Sequence, residues 1–350
     1  MTWLTWRQFR AQGWAVLGGI VVAVLAFAVT GPHLAHLFDT SGVASCLAPA
    51  DCQSAQAQFA AGVNGSRAYP LLYFAGLGLL YLTPAVLGIF WGAPLIAREL
   101  EAGTLRLVWS QSVTRVRWVA TKMGLIVLAA VLATGLLSLA VTWWSSPIDQ
   151  AAALAGQGQG LGFPHRFMPL VFGARDIVPI GYAVFAFTLG VTVGLLVRRT
   201  LPAMAITLAA VAAMQVMVPT AVRAHYVAPE ETTTAMTFTP DAPHSIFITD
   251  NTLEVSMPVT LPGDWITSVH AVDPAGNPFT GPAPQICLSP TSSLADCDAA
   301  INALHLRQLV SFQPAGRYWT FQRLETSVYL VLALALGGLC VIRIRRLRPS

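Results

Sequence analysis

Charge is scarce in this 350-residue chain: Asp, Glu, Lys and Arg make up 10% of it, against 55% hydrophobic residues and a mean hydropathy of +0.62. That balance lies outside the usual range of soluble globular domains and excludes that class. Lysine is rarer still, with Lys122 the sole example beside 19 arginines. A Gly-x-x-x-x-Gly-Lys-Ser/Thr phosphate loop is therefore excluded. The glycine-rich run Gly156-Gln157-Gly158-Gln159-Gly160 has no Lys-Ser/Thr after it and reads as a flexible connection. Neither Gly-x-Ser-x-Gly nor His-Glu-x-x-His occurs, and all seven histidines fall outside the long apolar runs. The usual acid–base group is thus missing from those runs, which argues against intramembrane catalysis. No solenoid-type repeat is visible.

What is present is a set of long apolar segments. A bilayer core of ~30 Å needs about 20 apolar residues of helix, and six segments qualify: Trp14–Thr30, Leu71–Pro94, Val119–Trp144, Ile177–Val197, Leu201–Val218 and Thr326–Ile342. The first is not a signal peptide, being longer than an h-region and preceded by Trp3, Leu4, Trp6, Phe9 and Trp14. Residues 2–12, with Arg7 and Arg10 on a wet side, read as an interfacial helix lying on the membrane; the bland alternative is a frayed terminus. The fold class expected is an all-α integral membrane protein of six transmembrane helices with an N-terminal interfacial helix and a small, mostly β outer domain.

Sidedness follows from the basic residues in short loops. With the N-terminus inside, Arg7, Arg10, Arg98, Arg106, Arg115, Arg117, Lys122, Arg198, Arg199, Arg343, Arg345, Arg346 and Arg348 face the cytoplasm, 13 of the 20 Lys and Arg. Much longer outer segments hold the rest. The net charge of +4 is then a topology signal, and basic residues spread along a membrane face give a nucleic-acid reading no support. Cysteine usage agrees. Cys46 and Cys52 fall in the first outer loop, Cys287 and Cys297 in the last, and Cys340 inside the final span as a small buried hydrophobe. Short separations favour the bridges Cys46–Cys52 and Cys287–Cys297 among the possible pairings, with free thiols in a reducing space as the alternative.

Three parts result: residues 1–222 with the interfacial helix and five spans, an extracytoplasmic domain at 223–323, and residues 324–350 with the sixth span and a basic cytoplasmic tail. In the outer domain Thr234–Thr239, Ser245–Thr249, Glu254–Thr260 and Trp265–Val272 predict strands, and Ala299–Val310 predicts a short amphipathic helix. Residues 31–70 predict a helical hairpin resting on the membrane. His33, His36 and Asp39 share a helix-like spacing that suits a metal, but such residues at a helix end are more often simply solvated.

Of the 16 acidic residues, only Glu99 and Glu101 fall on the side assigned to the cytoplasm. They sit in Arg98-Glu99-Leu100-Glu101-Ala102-Gly103-Thr104, with Arg106, Arg115 and Arg117 beyond. A solvated turn, stopped by Gly103, is one reading; a charge-assisted contact with a partner protein is the other. This stretch, followed by Ser110-Gln-Ser-Val-Thr-Arg-Val-Arg-Trp and by Lys122 opening a span, resembles the loop of type-2 ABC transporter permeases, with Ser112 where their usual proline stands. Asp176-Ile-Val-Pro-Ile-Gly-Tyr-Ala-Val-Phe-Ala-Phe, Arg198-Arg-Thr-Leu-Pro-Ala-Met-Ala and Gln313-Pro-Ala-Gly-Arg-Tyr-Trp-Thr-Phe-Gln-Arg-Leu-Glu resemble a subgroup of these permeases from GC-rich bacteria. The resemblance covers most spans but not the outer domain.

It implies a non-catalytic permease subunit, paired with a second permease as homo- or heterodimer in a bacterial plasma membrane, with both termini cytoplasmic. Two copies of a separate cytoplasmic ATPase subunit would carry ATP and Mg and dock on Arg98, Glu99, Glu101, Gly103, Thr104, Arg115 and Arg117, and on the N-terminal helix. This chain itself would bind no cofactor and no metal. Spans two and five would line the substrate path through Thr83, Pro84, Met204, Thr207, Val211, Met214 and Gln215. For that stripe helix packing is the alternative, and Gly190 with Gly194 reads as packing. The implied function is export of a hydrophobic or amphipathic substrate from the cytoplasm or inner leaflet. A membrane-held sensor signalling to a cytoplasmic partner without transport is the alternative, and a cell-envelope enzyme is weak for want of a nucleophile–base pair.

Overall fold

The computed structural model describes residues 2–45, 53–102, 115–154, 162–239, 244–249, 252–259, 261, 263–289 and 292–346. Six helices are long and apolar enough to cross a membrane: Val16–Thr40, Ala68–Glu101, Val116–Leu154, Val178–Val197, Thr200–His225 and Ala315–Arg346. In hydrocarbon every backbone N–H and C=O must find its partner within the segment, which leaves helix as the open-chain solution for runs of this length. The helix carrying the first span starts at Thr2 and runs unbroken to Thr40. The interfacial helix expected over residues 2–12 is therefore helical but not set apart from the span. The helix of the third span, Arg115–Leu154, has 40 residues; at 1.5 Å per residue it reaches ~60 Å, about twice the hydrocarbon thickness, and must project beyond it. The hairpin expected over residues 31–70 is corrected: the first span's helix continues to Thr40, and the single short helix Gln53–Asn64 packs against its end, Phe59 meeting Phe38 at 5.6 Å.

The fourth span is the hub. Its most apolar window is 72% buried inside the chain, against 11% for the first span and 22% for the fifth and sixth. An evenly apolar helix is what a central position requires. Glycines let the second span approach it: a Cβ at Gly190 would lie 2.3 Å from the Gly88 carbonyl oxygen, one at Gly194 2.3 Å from that of Ala93, and one at Gly92 2.5 Å from that of Phe187. These two backbones touch, which is the packing role expected of Gly190 and Gly194. In the same place the second helix widens into a π-helical turn, Leu87–Gly92, and the fifth does so at Val218–Val222. Pro84 shortly precedes the first of these turns and Pro219 lies in the second. A proline's missing N–H and its ring act on the carbonyl four residues before it, ahead of both wide turns.

Between the fifth and sixth spans lies a small β region. Strands β1 (Glu230–Ala235), β5 (Arg307–Gln313) and β4 (Trp265–Val272) form one antiparallel sheet in the order β1-β5-β4, while β2 (Ser245–Thr249) and β3 (Thr252–Ser256) form a hairpin. β2 and β4 have the bounds expected; β1 and β3 start earlier. The helix expected over Ala299–Val310 is corrected. It spans Leu294–Asn302, opened by a Ser293–Asp296 capping box, and Arg307–Gln313 is instead the central strand. Buried Gln308 and Gln313 hid it: the Gln308 amide exchanges bonds of 2.8 and 3.0 Å with the Met257 backbone, and Gln313 Nε2 donates to the Val227 carbonyl at 2.7 Å. Polar side chains at buried positions break the two-residue alternation that marks a strand. The Cys287–Cys297 disulfide is present and ties the Leu294–Asn302 helix to the Gln285–Leu288 turn beside a core of Met236, Phe238, Leu253, Val255, Ile301 and Leu306. Cys46 and Cys52 lie outside the described residues.

Candidate functional site

At the end of the bundle where the second span finishes, both acids have partners within the chain. Glu99 Oε1 pairs with Lys122 Nζ at 2.9 Å, both side chains mostly buried, and the ammonium also lies 4.1 Å from the Trp118 ring centre. Glu101 Oε2 accepts from the Thr200 backbone N–H at 3.1 Å and from the Thr200 hydroxyl at 2.7 Å. The physical reason lies in the fifth helix. Its first N–H groups lack intrahelical acceptors, and its N-cap residue, Arg199, makes no side-chain cap. A carboxylate arriving from the second helix supplies that acceptor and meets the positive end of the helix dipole. The loop acids thus bind the end of span two to the starts of spans three and five. Arg98 and Arg117 are exposed beside them, Arg115 opens the third helix, and Gly103 and Thr104 lie outside the described residues.

The expected path residues converge inside one chain. Gln215 Nε2 donates to the Tyr81 carbonyl at 2.9 Å, joining span five to span two just ahead of Pro84. Thr83 Oγ1 returns to the Leu79 carbonyl at 2.7 Å. Thr207 is fully buried, bonded to the Ala203 carbonyl at 2.7 Å, and its methyl is one of the groups crowding Gly88. Val211 is buried and Met204 and Met214 half-buried. This stripe packs inward, while Ile206, Leu208, Val216 and Met217 form an exposed apolar face on the same helix.

The other end of the bundle carries a polar layer that sequence reasoning missed. Arg223 and Glu325 are both fully buried and meet in a two-pronged pair, Nε to Oε2 at 2.7 Å and Nη2 to Oε1 at 2.8 Å. The guanidinium donates further to the Pro169 carbonyl at 2.9 Å and lies over the Phe172 ring at 4.4 Å. Tyr182 donates to Glu325 Oε1 in a short hydrogen bond. Gln322 Oε1 accepts from the backbone N–H groups of Ile177 and Val178, both at 3.2 Å, capping the fourth span. Tyr318 donates to Asp176 Oδ2 at 2.5 Å. Helical spacing puts Tyr318, Gln322 and Glu325 on one face, and that periodicity, with an arginine closing the fifth apolar run, was the available signal. Nearby, His165 is buried with no hydrogen-bond partner for its ring nitrogens among the described residues, and burial holds its imidazole below the usual range.

Among the described residues no group of three or more His, Cys, Asp or Glu side chains is placed to hold a metal ion; His33, His36 and Asp39 are exposed along the first helix. Six apolar helices of membrane-crossing length, with a β region between the last two, make this a multi-pass membrane protein. The chain belongs to the ABC-2 membrane transporter related family, whose model matches residues 17–223. That match starts in the first span and ends at the buried Arg223, leaving the β region and sixth span outside it. Comparison with curated proteins and with solved structures yields no match.

Proposed function

We propose that this chain is the membrane-spanning subunit of an ATP-driven exporter in the bacterial plasma membrane, moving a hydrophobic or amphipathic substrate out of the cytoplasm or inner leaflet. Two copies of a separate ATPase, carrying ATP and Mg, dock on the surface around Arg98, Glu99 and Glu101, and a second permease completes the complex. The observation that carries this reading is the pair of inter-helix bonds, Glu99 to Lys122 and Glu101 to Thr200. A push on this loop is delivered at once to the bases of spans two, three and five. Spans two and five, where π-helical turns and the Gln215–Tyr81 bond lie, are the segments expected to shift along the substrate path, and family membership supports the assignment.

Two kinds of variant test it with a co-expressed ATPase. Arg98→Glu changes an exposed charge and is expected to weaken ATPase co-purification. Glu101→Arg removes the cap on span five and is expected to uncouple hydrolysis from substrate flux in vesicles while the complex still assembles. If both variants, and Glu99→Arg/Glu101→Arg together, retain normal assembly and coupled flux, the docking assignment fails.

A further inference from the structure

A chamber of about 210 Å³ opens at the end of the bundle away from Glu99, lined by Thr142, Ser146, Asp149, Arg166, Arg175, Asp176 and Tyr318 among others. Its charges are unusually arranged. Arg175 is fully buried, yet its nearest carboxylate is Asp149, with Nε to Oδ2 at 3.6 Å, too long for a hydrogen bond. None of its three guanidinium nitrogens makes a hydrogen bond of full geometry to a described residue; besides the loose ion pair with Asp149, the group interacts with Tyr73, 5.2 Å from its ring centre. Asp149 Oδ2 accepts from Ser145 at 3.1 Å while Oδ1 has no partner among those residues. Asp176 is engaged by Tyr318. Arg166, exposed at the rim, lies over the Tyr318 ring at 4.6 Å, a face contact that uses none of its N–H donors.

The demand is two-sided. Guanidinium donors call for an oxyanion, which they grip in a fork, and a carboxylate oxygen calls for a donor. Two arginines and two aspartates balance to zero, so a simple anion would leave the chamber with an uncompensated charge in a poorly solvated place. We propose that this chamber binds a small zwitterion, a group joining a phosphate or carboxylate to an ammonium, with the oxyanion on Arg166 and Arg175 and the ammonium on Asp149. Its volume of about 210 Å³ leaves room for a head group or a small free molecule. The two sources share this chemistry. The site is independent of the transport reading, since it needs neither the ATPase nor the path between spans two and five.

The test uses the full chain in phosphatidylglycerol nanodiscs. Calorimetric titration with glycerophosphoethanolamine reads the free source, and native mass spectrometry after reconstitution in mixed phosphatidylethanolamine and phosphatidylglycerol reads the lipid source. Saturable binding in either arm, weakened at least about tenfold by Arg166→Gln, is the expected result, and the arm that responds names the source. Arg166 is exposed, so this variant leaves the buried pair in place. Asp149→Asn is expected to erase the preference over inorganic phosphate or phosphatidylglycerol. Absence of saturable binding in both arms, inorganic phosphate binding as tightly as the zwitterion, or binding unchanged in Arg166→Gln overturns the proposal.

Discussion

The two ends of this helical bundle are both tied together by carboxylates, but differently. At one end Glu101 is exposed and holds the start of the fifth helix through the Thr200 backbone and hydroxyl. At the other, Glu325 and Arg223 have no exposed surface and every oxygen and nitrogen in their contact is engaged. An exposed carboxylate can exchange its partner for water or for another protein at little cost, whereas a buried pair cannot separate without stranding a charge. At the first end Glu101 can exchange its partner while Glu99 stays paired with Lys122 in a mostly buried contact; the second end holds. Arg223 and Glu325 also stand at the two roots of the β region, so the lock lies where that region joins the spans.

The largest expected effect tests the lock. Arg223→Met strands the Glu325 carboxylate and should cost about 3–5 kcal/mol, read as a large drop in thermal unfolding midpoint in detergent; Arg223→Met/Glu325→Leu should recover most of it. If the single variant were as stable as the parent, the buried pair would not be the lock. Next comes the seam between the ends. Gly190→Ala drives a methyl against the Gly88 carbonyl, and overpacking of this kind costs about 1–3 kcal/mol. Unfolding midpoints of Gly190→Ala and of Gly78→Ala, where a Cβ meets nothing within 4 Å, should separate clearly.

A smaller effect is expected from His165, and it belongs to the locked end alone. Its folded pKa lies below the free value, ~6.5, so as pH falls through that value the unfolded chain takes up a proton that the folded chain refuses. Stability is therefore full above about pH 6.5 and declines below it, until the folded pKa is reached. Comparing unfolding midpoints at pH 7.5 and pH 5.5 checks this: the drop should be shallower in His165→Phe, and an identical drop would remove His165 as its cause. Smallest is Glu101→Gln. An exposed acceptor is replaced by another, so membrane insertion and unfolding midpoint should barely change; a loss comparable to that of Arg223→Met would erase the distinction between the ends.

Much of this was legible in one dimension. Spans are long, apolar and nearly free of charge, so their number and order could be read directly, and β2 and β4 declare themselves by alternation and β-branched residues. The close approach of Gly190 and Gly194 was legible as well, because small residues four apart make one face. The central strand β5 was not, since Gln308 and Gln313 look like a wet helix face until Met257 and Val227 are seen to satisfy them. Glu99 and Glu101 stood out as the acids at the end of span two, yet their partners Lys122 and Thr200 could not be inferred from spacing. The path stripe from Met204 to Gln215 was visible as a periodicity, but a period does not say whether a face meets a cavity or its own neighbour.

By itself, then, the sequence determined the class: with so little charge and six runs of bilayer length, the backbone has no solution except helices that satisfy themselves. It also determined the position of the insertion between the fifth and sixth spans that forms sheets, by a change to Thr, Pro, Asp and Asn. Only the tertiary structure decided which charges live together. Arg223 and Glu325 are separated by the whole β region, and Asp149 and Arg175 by a connection whose composition carries no pairing information. Burial of a charge is tolerated only when a partner arrives from another element, and that arrival is a property of how helices pack, not of any local stretch of residues.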